Sequence, residues 1–187
     1  ADQIEVCSDL RFDGLTPSFE LIEKIRDNIS VPIKVMIRPR GGGFCYSLSD
    51  LKEIQNQIQV FKSIGIKHIV CGILKKNNRV NIDSFKKISD ISHPMKITFH
   101  KAIDKSIDFF NDIEALVRTN RLDSLLTSGR ANSAAEGSET IKKVVNIFEG
   151  NIKVIAAGKI TSTNLINIHE KIGGKYYHGR KILGNLN

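Results

Sequence analysis

The sequence predicts an α/β fold with a parallel sheet, of the TIM-barrel-like (β/α)8 class. Short β-branched runs alternate with longer segments of helical period along the whole chain. The runs begin 23 to 35 residues apart, which is the spacing of repeated βαβ units. No shift in composition divides the 187 residues, so one domain is predicted over residues 1–187.

Seven strands and six helices are predicted from this pattern. The strands are predicted at residues 3–8, 33–39, 68–74, 96–102, 124–129, 152–158 and 175–180. The helices are predicted at residues 17–29, 49–64, 81–91, 106–120, 134–148 and 161–172, several after start signals such as TPSFE, SLSD and TSTN. No GxGxxG motif follows the first strand, which favours a barrel over a doubly wound sheet. Because a full barrel has eight strands, we expect either that one βα unit is missing or that the sheet closes abnormally.

Composition and charge indicate a soluble globular protein. Charged residues make up 26% and hydrophobic residues 41% of the chain, and no apolar run is long enough to span a bilayer. The start of the chain has no signal-peptide pattern, so a cytoplasmic location and no membrane partner are expected. The net charge is +8, but the lysines are spread along the chain without interleaved aromatic residues, so a nucleic acid partner is not expected. Three cysteines without CxxC spacing predict neither a disulfide framework nor a zinc knuckle.

Polar side chains lie at the carboxyl ends of three predicted strands. Alternation in the second strand directs Ile33, Val35 and Ile37 towards the helices. The side chains on the opposite face of the first, second and fourth strands include Glu5, Cys7, Met36, Arg38, Arg40, Thr98 and His100. The βα loops at the carboxyl ends of barrel strands form the pocket, so these side chains are predicted to lie close together there. Cys71 is in register with Ile69 and Ile73 and is expected to be a small core residue.

These residues suggest chemistry for an anionic ligand. Arg38 and Arg40 could clamp an anion, and Glu5 or His100 could move a proton. Backbone N–H groups at Thr127, Ser128, Gly129 and Gly158, which follow later strands, could hold a phosphate or an oxyanion. Two simpler interpretations stay open: Glu5 and Arg38 could form a buried ion pair that serves only the fold, and His100 could be structural.

The chain closely resembles the copper homeostasis protein CutC family. The matching motifs run in family order, and they are ADQIEVCSDL, GLTPS, VMIRPRGG, FCYS, ITFHKAID, LLTSGRANSAAEG and AAGKI. The resemblance implies a TIM-barrel-like fold and a homo-oligomer, commonly a dimer. Asp104, the last residue of ITFHKAID, joins Glu5 and His100 as a catalytic candidate. Family members usually begin with one more strand and helix, and that strand often carries a cysteine that is among the proposed copper ligands.

The resemblance implies an intracellular protein that binds or handles Cu(I). Cu(I) prefers thiolate and thioether ligands, so the candidates in this chain are Cys7 and Cys45, with Met36 as a further donor. The alternative is a TIM-barrel enzyme that acts on a small anionic, perhaps phosphorylated metabolite through the Arg, Glu and His residues. GGGF replaces the family's GGDF, which loses a carboxylate at Gly43, and HKA replaces HRA at Lys101, which loses bidentate geometry.

Overall fold

The computed structural model describes residues 1–184 and consists of two compact units, Ala1–Thr98 and Phe99–Asn187. In each unit, parallel strands alternate with α-helices, as the spacing of the β-branched runs predicts. All seven predicted strands and all six predicted helices are confirmed, although every strand ends one to three residues before its predicted limit. The prediction of a single domain stays a prediction.

The first unit contains three helices and the first four strands of the chain. Its elements are β1 (Ile4–Val6), α1 (Phe19–Asn28), β2 (Ile33–Met36), α2 (Leu48–Ser63), β3 (His68–Cys71), α3 (Ile82–Ser92) and β4 (Lys96–Phe99). These strands pair in chain order, and β1 lies parallel to β2 with Glu5 opposite Lys34. Val35 in β2 and Ile37 just after it are fully buried, and Lys34 and Met36, which alternate with them, are also buried. Burial on both faces is typical of a parallel sheet.

The second unit continues the same alternation. Its elements are α4 (Phe109–Val117), β5 (Ser124–Thr127), α5 (Ser138–Phe148), β6 (Lys153–Ala157), α6 (Leu165–Ile172) and β7 (Tyr176–His178). β5 pairs with β6 and β6 with β7, all in parallel. Leu126, Ile155 and Ala157 form a buried cluster on two of these strands.

Two of the three predicted start signals act as helix caps. The Ser18 side chain accepts a hydrogen bond from Leu21 N at the start of α1. Ser47 and Asp50 form a capping box at the start of α2, in which each side chain accepts from the other residue's backbone N–H. In TSTN, the Asn164 side chain accepts instead from Thr161 N, 2.8 Å away and before α6, and makes no capping hydrogen bond to this helix. Local sequence therefore accounts for the starts of α1 and α2.

Cys71 is buried at the end of β3, which confirms the prediction that it is a core residue. Burial raises the pKa of its thiol to about 12, so it carries a proton at neutral pH. Across residues 1–184, the longest apolar helical stretch falls short of what a membrane crossing requires.

Candidate functional site

Arg38 follows β2, and its guanidinium binds main-chain carbonyl oxygens of two loops. Nη1 donates to Phe12 O and, at 3.3 Å, to Gly14 O, and Nη2 donates to Gly42 O at 3.0 Å. The guanidinium carbon lies 4.9 Å from the centre of the Phe44 ring. The side chain is only 6% exposed. Arg38 therefore joins the loop after β1 to the glycine-rich loop after β2.

The suggested ion pair between Glu5 and Arg38 is wrong. Glu5 lies on β1 opposite Lys34, four residues before Arg38, and is half-buried. The Arg38 guanidinium turns instead to carbonyl groups beyond the strand ends. A parallel register therefore separates the two side chains along the strand direction.

Arg40 organises the loop of residues 41–47. Its Nε donates to Asp50 Oδ2 at 3.0 Å, and its Nη2 donates to Cys45 O at 3.0 Å. Its Nη1 donates to Gly41 O at 3.1 Å. Because Asp50 also belongs to the capping box of α2, Arg40 ties the glycine-rich loop to the start of this helix. The two arginines therefore direct most of their donors to the protein's own oxygen atoms.

The Arg40–Asp50 contact gives a testable pH dependence. The hydrogen bond from Arg40, with that from Ser47 N, lowers the pKa of Asp50 below 3.8. A carboxyl with a lowered pKa stabilises the fold above its unfolded pKa, and this contribution is lost as the pH falls through the folded-state pKa. We expect Asp50→Asn to lower the melting temperature at neutral pH, and the difference from wild type to shrink in acid. Thermal unfolding followed by circular dichroism checks this, with Asp83→Asn on the exposed first turn of α3 as control; a difference independent of pH would contradict it.

Tyr46 has a buried hydroxyl, and its ring lies beside Arg40. Its ring centre lies 5.3 Å from the Arg40 guanidinium carbon. Within residues 1–184 the hydroxyl has no hydrogen-bond partner, and the same is true of Arg38 Nε. Burial raises the pKa of Tyr46 to about 12, against an opposing effect of the Arg38 charge, so the phenol stays neutral. FCYS was recognised in the sequence only as a motif, and nothing in the strand pattern indicated that this hydroxyl is buried.

Two sulfur-containing side chains converge on Gly14. A Cβ atom built on Gly14 would lie 3.0 Å from Cys7 Sγ and 3.8 Å from Met36 Cε. Cys7 is half-buried and Met36 is buried. Cys45 is exposed, and its carbonyl group accepts a hydrogen bond from Arg40. Of the three sulfur side chains proposed as copper donors, Cys7 and Met36 are thus the pair placed beside one residue.

A polar cluster that was not predicted from the sequence lies in the first unit, on residues of β2, β3 and β4. The Thr98 hydroxyl lies 3.3 Å from Lys34 Nζ and 2.9 Å from His68 Nε2. All three side chains are buried. Thr98 was predicted to face the site, but His68 and Lys34 occupy its hydrogen-bonding positions. The alternation of the second strand places Lys34 on the same face as Met36 and Arg38, whereas the burial of His68 has no local sequence signal.

His100 begins a short 3₁₀-helix, Lys101–Lys105, in the second unit. Its Nδ1 accepts from the Ala102 backbone N–H at 3.1 Å, so in the neutral ring the proton lies on Nε2. The ring is 5% exposed. His100 thus caps this short helix, and a role for it in proton transfer stays a prediction.

Asp104 receives hydrogen bonds from the loop after β5. Oδ1 accepts from the Thr127 hydroxyl at 2.5 Å and from Arg130 N at 3.0 Å. Oδ2 accepts from Ser128 N and from the Ser128 hydroxyl, both at 2.9 Å. The loop therefore holds an anion as its sequence suggests, but that anion is the protein's own carboxylate.

Gly158 lies against the same loop. A Cβ built on Gly158 would lie 3.0 Å from Ser128 Cβ, and Gly158 O accepts from Ala134 N at 2.9 Å. The structure thus brings Asp104, Thr127, Ser128 and Gly158 together, with Gly129 N donating to the Thr127 hydroxyl. A binding or catalytic role for these residues stays a prediction. Over residues 1–184, no group of three or more His, Cys, Asp or Glu side chains is arranged to hold a metal ion.

Comparison with known sequences and structures assigns this chain to a family. A family model described as the CutC family matches residues 1–183. The human protein named copper homeostasis protein cutC homolog is 35% identical over 178 residues, which cover 95% of this chain and 65% of the human protein. A CutC family protein of Aliivibrio fischeri is 33% identical over 180 residues, which cover 95% of this chain and 72% of that protein. The chain thus spans about two thirds of the length of these curated relatives.

A crystal structure described as a copper homeostasis protein CutC from Streptococcus agalactiae has the same fold. The match has a TM-score of 0.92 with 27% identity, and it covers 97% of this chain and 89% of that one. This match confirms the predicted TIM-barrel-like α/β fold, with seven strands in this chain. The family model and the relatives together show that the chain belongs to the CutC family.

Proposed function

We propose that this chain handles Cu(I) in copper homeostasis, with Cys7 and Met36 as a pair of donors. Relatives named for copper homeostasis share the family with this chain. The observation that carries the proposal is that the Cys7 thiol and the end of the Met36 side chain both lie beside Gly14, with Cys7 Sγ 3.0 Å and Met36 Cε 3.8 Å from a Cβ atom built there. A thiolate and a thioether are both soft donors, which suit Cu(I) and disfavour hard cations.

The geometry suits delivery of copper as cargo better than permanent storage. Two sulfur donors from this chain leave room for a ligand from another molecule in the coordination shell of Cu(I). Cys7 is half-buried, so an exchanging partner can reach it. Cys45 is exposed and remains a candidate third donor. A dimer and a cytoplasmic location are consistent with this proposal and stay predictions.

The alternative, an enzyme for an anionic metabolite, has less support from the geometry. Most donors of Arg38 and Arg40 bind loop carbonyl groups or Asp50. The N–H groups of Ser128 and Arg130 bind Asp104. Donors that already have protein acceptors must give them up before they bind a substrate, which costs free energy.

Titration of Cu(I) against a colorimetric chelator under anaerobic conditions tests the copper proposal. We expect Cys7→Ser and Met36→Leu each to weaken Cu(I) binding by about tenfold or more, because each removes one soft donor. Cys71→Ala is the matched control, since the buried Cys71 thiol keeps its proton and should not bind copper. Cys45→Ser shows whether the exposed cysteine is a third donor. Unchanged affinity in both Cys7→Ser and Met36→Leu would rule out this site.

A further inference from the structure

A polar pocket lies at the amino-terminal ends of β5, β6 and β7 in the second unit. Its volume is about 330 Å³, and its wall is built by residues before β5, after α5 and at the starts of β6 and β7. Pockets that bind small molecules in proteins usually have volumes of about 300 to 1,000 Å³, so this one suits a small ligand. The pocket lies at the opposite end of β5 from the loop that binds Asp104.

Two carboxylates in the wall of the pocket are largely shielded from solvent. Asp123 precedes β5 and Glu149 follows α5, and their side chains are 17% and 18% exposed. Both residues line the pocket. Glu149 Oε1 accepts a hydrogen bond from Lys175 N at 3.3 Å, which holds this side chain against the start of β7. Two negative charges therefore belong to the wall of the pocket.

Two lysines bring positive charge to the same pocket, but their contacts with the carboxylates are long. Lys153 Nζ lies 3.5 Å from Asp123 Oδ1, and Lys175 Nζ lies 3.6 Å from Glu149 Oε2. N–H···O hydrogen bonds usually measure about 2.7 to 3.2 Å, so neither contact is a close one. The two lysine side chains are 39% and 72% exposed, so each ammonium group can turn towards a ligand at little cost.

The balance of charges in the pocket selects for a ligand that carries both signs. A simple anion would be attracted by the two lysines but repelled by the two carboxylates, and a simple cation would meet the reverse. A zwitterion finds an opposite charge for each of its charged groups. Leu122, Ile152 and the partly exposed ring of Tyr176 also line the pocket, so the ligand can carry a small apolar group.

We propose that this pocket binds an amino acid with a small apolar side chain, in its zwitterionic form. Asp123 and Glu149 bind its ammonium group, and Lys153 and Lys175 bind its carboxylate. Hydrogen bonds between charged groups are short and strong, so the ligand improves on the long contacts between these lysines and carboxylates. Active sites of TIM-barrel enzymes lie at the carboxyl ends of the strands, so this amino-terminal pocket is a binding site and not a reaction centre. It is independent of the sulfur donors in the first unit.

NMR titration of the full chain with L-leucine tests the proposal. We expect saturable shifts of the backbone ¹H–¹⁵N resonances of Gly150 and Asn151, which line the pocket. Isopentylamine lacks only the carboxylate of leucine, and isocaproate lacks only its ammonium group. Each should bind at least about tenfold more weakly than leucine at the same ionic strength, because each leaves one pair of charges unmatched. Equally tight binding of isopentylamine or isocaproate would overturn the proposal, and so would the absence of a saturable shift with leucine.

Two variants link this binding to the charged side chains of the pocket. Lys175→Gln and Glu149→Gln should each weaken leucine binding by about tenfold, because each removes one charge that faces the zwitterion. Lys175→Gln keeps the backbone N–H that donates to Glu149, and circular dichroism checks that both variants fold. Lys142→Gln, at an exposed position of α5, is the matched control and should bind leucine as wild type does. Unchanged leucine binding in either pocket variant would overturn the proposal.

Discussion

Gly137→Ala is expected to destabilise the protein by about 3 kcal/mol or more, because the new methyl group meets rigid backbone. Gly137 precedes α5 and is buried. A Cβ at this position would lie 2.0 Å from Ser128 O and 3.1 Å from Gly129 Cα. Gly137 has a φ of −89°, which alanine adopts readily, so the cost is steric and does not come from backbone strain.

Relief of this clash requires the loop after β5 to move. Ser128 donates to Asp104 through both its backbone N–H and its hydroxyl, so that loop cannot shift without losing hydrogen bonds. Gly137 is held as well, since Ile141 N donates to Gly137 O at 2.9 Å. The methyl group therefore cannot be accommodated by a side-chain rotation.

Urea denaturation of Gly137→Ala and Gly150→Ala measures the effect. A Cβ on the exposed Gly150 would have no atom within 4 Å, so Gly150→Ala should stay within about 1 kcal/mol of wild type. Both variants remove one glycine from the unfolded chain, so their difference isolates the clash. Similar stability of the two variants would show that the loop and α5 can separate at low cost.

Local periodicity was enough to predict the order of elements in this protein. The β-branched runs and helix-start signals identified β2 and α2, and the Ser47–Asp50 capping box formed where SLSD predicted it. Each of these signals depends on neighbours within a few residues. The same pattern ran the predicted strand on to residue 39 and so placed Arg38 within it, whereas β2 ends at Met36 and both arginines follow it.

The partners of the arginines could not be predicted from that pattern. A guanidinium after a strand needs hydrogen-bond acceptors, but the presence of an arginine in the sequence does not show whether those acceptors belong to a ligand or to a loop. Here the carbonyl groups of Phe12 and Gly14, in the loop after β1, accept hydrogen bonds from Arg38. Arg38 lies 24 or more positions further along the chain. Met36 and Cys7 likewise meet at Gly14 only because β1 and β2 pair in this register. Such contacts depend on tertiary structure and leave no mark in local spacing.

Asp104→Ala is expected to lower stability by about 3 kcal/mol, because the donors that surround its carboxylate lose their acceptor. Thr127 and Ser128 are buried, so the Thr127 hydroxyl and the Ser128 N–H cannot easily turn to water, whereas the Ser128 hydroxyl keeps Ala131 O as an acceptor at 2.8 Å. Asp104→Asn keeps one acceptor oxygen and should lie between wild type and Asp104→Ala. Glu170→Ala on the exposed face of α6 is the control and should change stability by about 0.5 kcal/mol or less.

Hydrogen exchange distinguishes loss of the hydrogen bonds to Asp104 from general destabilisation. The backbone N–H groups of Ser128 and Arg130 both donate to Asp104. In Asp104→Ala their exchange should accelerate more than that of Leu125 and Leu126, which lie within β5. Equal acceleration at all four positions would mean that the substitution weakens the whole unit and that the carboxylate has no specific role in the loop.

Added phosphate separates a structural carboxylate from a ligand site. In wild type, Asp104 occupies the N–H and O–H donors of the loop, so an external anion must compete with a tethered carboxylate and is repelled by its charge. In Asp104→Ala the same donors are open to an external anion, so phosphate should raise the melting temperature of this variant more than that of wild type. An equal rise in both proteins would mean that phosphate binds elsewhere. The anion site predicted for Thr127, Ser128 and Gly129 would then be a property of the Asp104 contact alone.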